Sequence, residues 1–229
     1  LANEARQELA GARLNRAMAR IDQAIQLRPE DANLFVTRAS IHQRRADTEA
    51  AERDLKQATE LAPESSRALG AYGTFLRAMG RVSEAESLLK RAIALDIRNV
   101  EARISLGKLY EKAGAFGLAK VQYERAVEHV PADERGYVTL AALRIQQGQV
   151  TLASKLLLRA EMLNPNFAPT LYWQAVCMAA LNEYESAMTA LEKAVKAGFR
   201  DRTRLREQSE LAPLRDFARY KHIASLIGA

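Results

Sequence analysis

The sequence predicts an all-α chain built as a solenoid of helix pairs. Three observations carry that expectation. Alanine recurs on a strict 34-residue period in two columns, Ala17, Ala51, Ala85, Ala119, Ala153, Ala187 and Ala24, Ala58, Ala92, Ala126, Ala160, Ala194. Proline keeps the same spacing: Pro29 and Pro63 are 34 residues apart, as are Pro131 and Pro165, with Ile97 in the vacant place between. No stretch alternates apolar and polar residues long enough to argue for a sheet, whereas the Ala-, Leu-, Glu- and Arg-rich composition favours helix.

Each repeat reads as two helices. Ala5, Ala39, Gly73, Gly107, Ala141 and Ala175 form a third small-residue column. Ile21, Leu55, Leu89, Tyr123, Leu157 and Leu191 form a large apolar one, each a single helical turn after the matching alanine. Small positions let two backbones approach, and the large column fills the space beside them. A bulky residue at Ala126 would overpack that contact at a cost of roughly 1–3 kcal/mol. Gly80, Gly114 and Gly148 mark the turn inside a repeat, where a helix ends in a left-handed residue. Proline marks the turn between repeats, because it cannot continue a helix. The repeats then fall at about 1–31, 32–65, 66–99, 100–133, 134–167 and 168–201, an array over 1–199.

These motifs resemble the tetratricopeptide repeat: a large residue, then Leu-Gly, Tyr, Ala-x-x-x-Phe and Pro. The fullest copy runs Leu106, Gly107, Tyr110, Ala119, Tyr123, Ala126, Pro131, and another runs Tyr72, Gly73, Leu76, Ala85, Leu89, Ala92. Ile97 and Phe199 depart from the pattern where proline is usual; His42, Arg144 and Met178 replace its tyrosine. The resemblance implies a right-handed superhelix, an α-α solenoid of about six helix pairs. By the repeat register, the first pair begins two residues before Leu1, so the chain is expected to open inside a helix, with a segment upstream. Residues 200–229 break the period and are expected to form C-terminal capping helices, one near Thr203–Glu210 and one over Pro213–Ile227. The second would pack Leu214, Phe217, Tyr220 and Ile223 or Ile227 on the last repeat. Leu211–Tyr220 is similar to the closing element that follows many bacterial repeat arrays.

The residues give no chemistry to a catalyst. His42, His129, His222 and the single Cys177 lack metal-ligand spacing, and Cys177 sits in the apolar run Ala175–Ala180 as a small buried hydrophobe. No phosphate loop or dinucleotide fingerprint occurs, and the carboxylates lie on solvated faces. No catalytic residue, cofactor or metal is assigned. One cysteine leaves no internal disulfide, no apolar run reaches a membrane span, and the compartment, cytoplasmic or periplasmic, stays open. The net charge of +6 and pI near 9.5 favour acidic partners, but no block of like charge marks a nucleic-acid site.

The resemblance implies that the first helix of each repeat lines a concave groove. In register, that groove is basic and polar at first and apolar and aromatic toward the end. Arg67, Arg77 and Lys108 are the expected steering charges, and Val138, Ile145, Tyr172 and Val176 the expected anchors. Trp173 divides evenly between core and contact. The carboxylate clamp of chaperone-binding members is missing, since Val36, Ser40, Ala71 and Glu101 stand at its positions. The asparagine ladder of other members is missing too, its column reading Thr37, Ala71, Ser105, Thr139, Trp173. The leading expectation is a protein-interaction scaffold or adaptor, bacterial in style, holding a protein or peptide with an acidic and apolar segment. The alternatives are RNA or single-stranded nucleic-acid binding through a basic face, or the substrate-docking region of a larger enzyme.

Overall fold

A computed structural model describes residues 2–228. Its elements are α1 (Ala2–Leu27), α2 (Ala32–Arg44), α3 (Thr48–Leu61), α4 (Ser66–Ala78), α5 (Val82–Leu95), α6 (Val100–Lys112), α7 (Phe116–His129), α8 (Glu134–Gln146), α9 (Val150–Leu163), α10 (Ala168–Ala180), α11 (Tyr184–Lys196) and α12 (Arg202–Glu207), then a 3-10 segment (Ser209–Leu214) and α13 (Ala218–Gly228). Among the described residues there is no strand. The chain divides into two compact units, Leu1–Gln122 and Tyr123–Ala229. In the first, α2, α4 and α6 pack on one another as one layer, with α3 and α5 behind them. In the second, α8 and α10 pack together, backed by α9 and α11.

The helix boundaries are written in side-chain and backbone chemistry. Asp31, Ser65, Asn99 and Asp133 recur once per repeat and accept a hydrogen bond from the backbone of α2, α4, α6 and α8 in turn. α10 has no such cap and carries a proline in its first turn instead. First helices end in a left-handed residue, again on the 34-residue column: Ala46, Gly80, Gly114, Gly148 and Asn182. The amide of the next residue then reaches back five residues, as in Arg81 to the Leu76 carbonyl at 2.9 Å, which satisfies an orphan acceptor.

Where proline is missing, other groups close the loop. Asp96 accepts from the Arg98 amide at 2.9 Å, and the buried Arg103 donates through Nε to the Ile97 carbonyl at 2.9 Å. At the other departure, Phe199 is buried against the last pair rather than turning the chain outward.

Two expectations need revision. Residues 1–31 were expected to hold a helix pair, but α1 is one helix of 26 residues. The turn and cap columns fall on Ala12 and Arg13; Ala46 turns beside the capping Asp47 and Arg81 follows the turning Gly80, whereas this pair has neither a glycine nor a cap oxygen. Near the C-terminus, Pro213 lies inside the 3-10 segment and the last helix begins only at Ala218. Leu214, Tyr220, Ile223 and Ile227 are buried as expected, whereas Phe217 is 41% exposed beside Tyr184.

The small columns form the core. Ala51, Ala58, Ala85 and Ala92 in the first unit, and Ala153, Ala160, Ala187 and Ala194 in the second, are wholly buried. A β-carbon on Gly73 would lie 2.8 Å from Leu89 Cγ and 3.2 Å from its backbone nitrogen. Polar clasps join successive pairs. A first helix reaches back to the preceding second helix through Arg38 to Asp22, Tyr72 to Glu52, Tyr110 to Glu86, Arg144 to Glu124 and Gln174 to Glu161. Arg38 also holds Asp54 through two bonds of 2.8 and 2.7 Å, and that contact, ahead of all other influences, raises its pKa.

Gly73→Ala should destabilise the chain by about 1–3 kcal/mol despite alanine's better helix propensity, read as a lower urea midpoint. Thr170, buried with its hydroxyl unpaired, stands in a column otherwise held by Leu34, Ala68, Ala102 and Gly136. Thr170→Val should raise the same midpoint, by about 1 kcal/mol of stability, because it removes an unsatisfied polar group at constant shape.

Candidate protein-interaction surface

The surface begins with the layer of α2, α4 and α6 in the first unit. Thr74 on α4 and Ser105 on α6 share a hydroxyl hydrogen bond of 2.8 Å, which locates the seam between the two helices. Arg67 lies two turns before Thr74 and Arg77 one turn after it, so all three share a face of α4. Lys108 lies one turn after Ser105 on α6, with Lys112 a turn beyond. Arg67, Lys108 and Lys112 are exposed, as are Asn33, Ser40 and Arg44 on α2. Arg77 is half-buried, and its Nε is shielded from solvent with no hydrogen-bond partner. Glu101 and Glu111 on α6 offset part of this positive charge.

The four expected anchors are placed differently. Val138, Ile145, Tyr172 and Val176 all lie in the hydrophobic core of the second unit, and Tyr172 and Val176 have no exposed surface. Two physical causes correct the expectation. Val138 and Tyr172 share a column with Gly70, and a β-carbon on Gly70 would meet Ala102 of the next first helix at 3.5 Å. That column packs one first helix on the next. Val176 shares its column with Ser40 and Lys108, which are open to solvent in the first unit. On α10 the column is closed because the 3-10 segment packs on that helix, with Leu211 and Leu214 fully buried.

The C-terminal segment therefore takes the place expected for a partner on α10. Tyr172 stacks on Phe199 with ring centres 4.4 Å apart and donates its hydroxyl to the Arg204 carbonyl at 3.3 Å. Burial pushes its pKa up. Trp173 meets Tyr172 edge-on and lies under the Arg204 guanidinium, so it belongs to the core. Tyr220 donates to the Leu205 carbonyl at 2.8 Å, tying α13 to α12. Arg219 clamps α13 to α11 through Glu192 at 2.8 and 3.0 Å, Glu185 at 2.8 Å and Thr189 at 3.1 Å. A sequence signal for this cover existed in the spacing of Leu205, Leu211 and Leu214, the large apolar residues of the charged stretch 200–216.

Among the described residues, no group of histidine, cysteine, aspartate and glutamate is disposed to hold a metal. None of their helices is long and apolar enough to cross a membrane. Burial pushes the Cys177 thiol up to about 11, away from thiolate reactivity. A shallow pocket of about 420 Å³ lies over Tyr72, Leu76, Ser83, Glu84, Ser87 and Leu88. Its carboxylate, Glu84, is engaged by Arg81.

Tyr172→Ala should cost about 3–5 kcal/mol of folding stability, visible as a large fall in melting temperature, because it empties a packed core site. Cys177 should react with iodoacetamide at pH 8 far more slowly in the native chain than in urea. Equal rates would show that the thiol is not buried.

The profile of the tetratricopeptide repeat family matches residues 43–97 and 76–143. A tetratricopeptide repeat protein from Parabacteroides merdae ATCC 43184 is similar in structure, with a TM-score of 0.70 at 18% identity over 97% of this chain and 80% of that one. PilW, a widely conserved type IV pilus biogenesis factor, has a TM-score of 0.65 at 22% identity over 93% of this chain and 95% of its own. A chain of the APC/C hetero-tetramer Cut9–Hcn1 has a TM-score of 0.75 at 13% identity; the match covers 93% of this chain and 42% of that much longer one. At these identities the likeness is one of fold. No curated protein matches the sequence. Period, caps, packing columns and these likenesses agree that the chain has a tetratricopeptide-like α-solenoid fold, repeated helix pairs followed by C-terminal capping helices.

Proposed function

We propose that the chain is a protein-interaction scaffold that receives an acidic segment of a partner on the layer formed by α2, α4 and α6. The observation that carries this reading is Arg77, whose shielded Nε lacks a partner on the same face as exposed Arg67. A buried donor without an acceptor costs about 1–3 kcal/mol, which Arg77 would recover by turning its side chain out onto an incoming carboxylate or peptide carbonyl. Neighbouring hydroxyl and amide groups, Asn33 and Ser40 among them, supply further donors and acceptors. The layer is polar, so recognition rests on charge and hydrogen bonds, while the apolar residues of α10 serve the core.

A single-stranded nucleic acid would need aromatic platforms between the basic residues. The exposed positions of this face carry none: Phe35, Tyr72 and Phe75 on its helices are buried. A protein partner fits the face better.

The test places a photo-crosslinking residue at Ala71, on the layer, and at Lys90, on α5, in separate full-chain variants expressed in the native host. Protein adducts at Ala71 that disappear with Arg67→Glu and Arg77→Glu support the reading. Adducts at Lys90 alone, or nucleic acid at Ala71, would refute it. Once the partner is in hand, Arg77→Glu should slow association about tenfold at low salt, with a smaller effect as salt rises.

A further inference from the structure

Two outward columns that are charged or small on the other second helices are large and apolar on α9. Leu158 is 59% exposed and Met162 is 68% exposed. The same column as Leu158 holds Lys56, Lys90, Glu124 and Glu192, and that of Met162 holds Glu60, Glu128 and Lys196 besides Ala94. The repeat thus supplies its own control: these are solvent positions, and on α9 alone both are large and apolar. Leu152, also exposed, adds a third apolar group two turns before Arg159. Thr151, Lys155, Leu158 and Met162 follow a four–three–four spacing along one face, polar in its first half and apolar in its second.

The charge beside the stripe has one sign. Lys155 and Arg159 are exposed within it. The acidic residue of α9, Glu161, is turned to α10, where it accepts from Gln174 Nε2 at 2.7 Å.

We propose that this face docks an amphipathic helix of a partner protein whose apolar stripe is flanked by acidic residues. Leucine-sized side chains of the partner pack between Leu158 and Met162, and its carboxylates meet Lys155 and Arg159. Self-pairing through the same face would set these two cations against their own copies, which disfavours a second chain as the occupant. The surface is separate from the α2, α4 and α6 layer and does not depend on it.

The experiment uses the full chain and two labelled, helix-stapled peptides. One carries leucines at three–four spacing flanked by glutamates; its twin carries lysines in place of the glutamates. Fluorescence anisotropy should show the glutamate peptide binding at least about tenfold tighter than its twin. Leu158→Glu with Met162→Glu should lower that affinity at least about tenfold, with helicity unchanged, since both positions face solvent. Lys155→Glu with Arg159→Glu should reverse the preference between the peptides, and Arg67→Glu should leave it alone. Equal binding of both peptides, or binding untouched by the α9 variants, would overturn the proposal. So would self-association abolished by Leu158→Glu and Met162→Glu, or binding to anionic phosphatidylserine vesicles in preference to the glutamate peptide.

Discussion

The close approach of paired helices through alanine and glycine is the constraint on which the rest of this fold depends. Where Ala51, Ala85, Ala153 and Ala187 sit, there is no side chain long enough to hold two backbones apart, and none of these residues keeps any exposed surface. Dispersion contacts are individually weak, so their sum requires this proximity. The large column, Leu55, Leu89 and Leu157 among it, then fills the crevice beside the contact. Caps and turns follow, because a helix pair held this tightly must start and stop at the same place in every repeat.

Periodicity explains what was legible in the sequence. The columns, the caps at Asp31, Ser65, Asn99 and Asp133, and the glycine turns repeat because each pair solves the same packing problem. Val138 and Tyr172 were misplaced because their column packs one first helix on the next, and Val176 because its exposure depends on the C-terminal segment, which obeys no period. Position 176 resembles position 40 by register alone, but Ser40 is open while the 3-10 segment closes α10 around Val176. The long α1 escaped for a related reason: a repeat register predicts a turn wherever the column recurs, whether or not the local residues can make one. At Ile97, conversely, Asp96 and Arg103 do the work of proline by a route no periodicity would show.

Function in such an array sits where the repeat is free to vary. The packing columns tolerate almost nothing, whereas the outward columns of second helices and the open columns of first helices carry any residue that water or a partner accepts. Arg77 and the Leu158–Met162 stripe are both departures from what solvent alone would favour, one a shielded donor left unpaired and the other an apolar surface left wet. The polar clasps between pairs are of the opposite kind. Tyr72 with Glu52 and Tyr110 with Glu86 spend their hydrogen bonds inside the molecule, so they hold the array together and offer little to a partner.

The left-handed turn also sets where the molecule opens. Gly80, Gly114 and Gly148 adopt that backbone freely, but Ala46 at φ 58° and Asn182 at φ 63° do not. Asparagine tolerates the conformation, and the Tyr184 hydroxyl donates to its side chain at 2.9 Å. Alanine has no such help and carries a strain of about 1 kcal/mol. The stored strain therefore lies in the α2–α3 and α10–α11 turns rather than in those between, and the pair α2–α3 bears most of it. That strain lowers the cost of opening the turn at Ala46, which eases the access of its amide hydrogens to exchange.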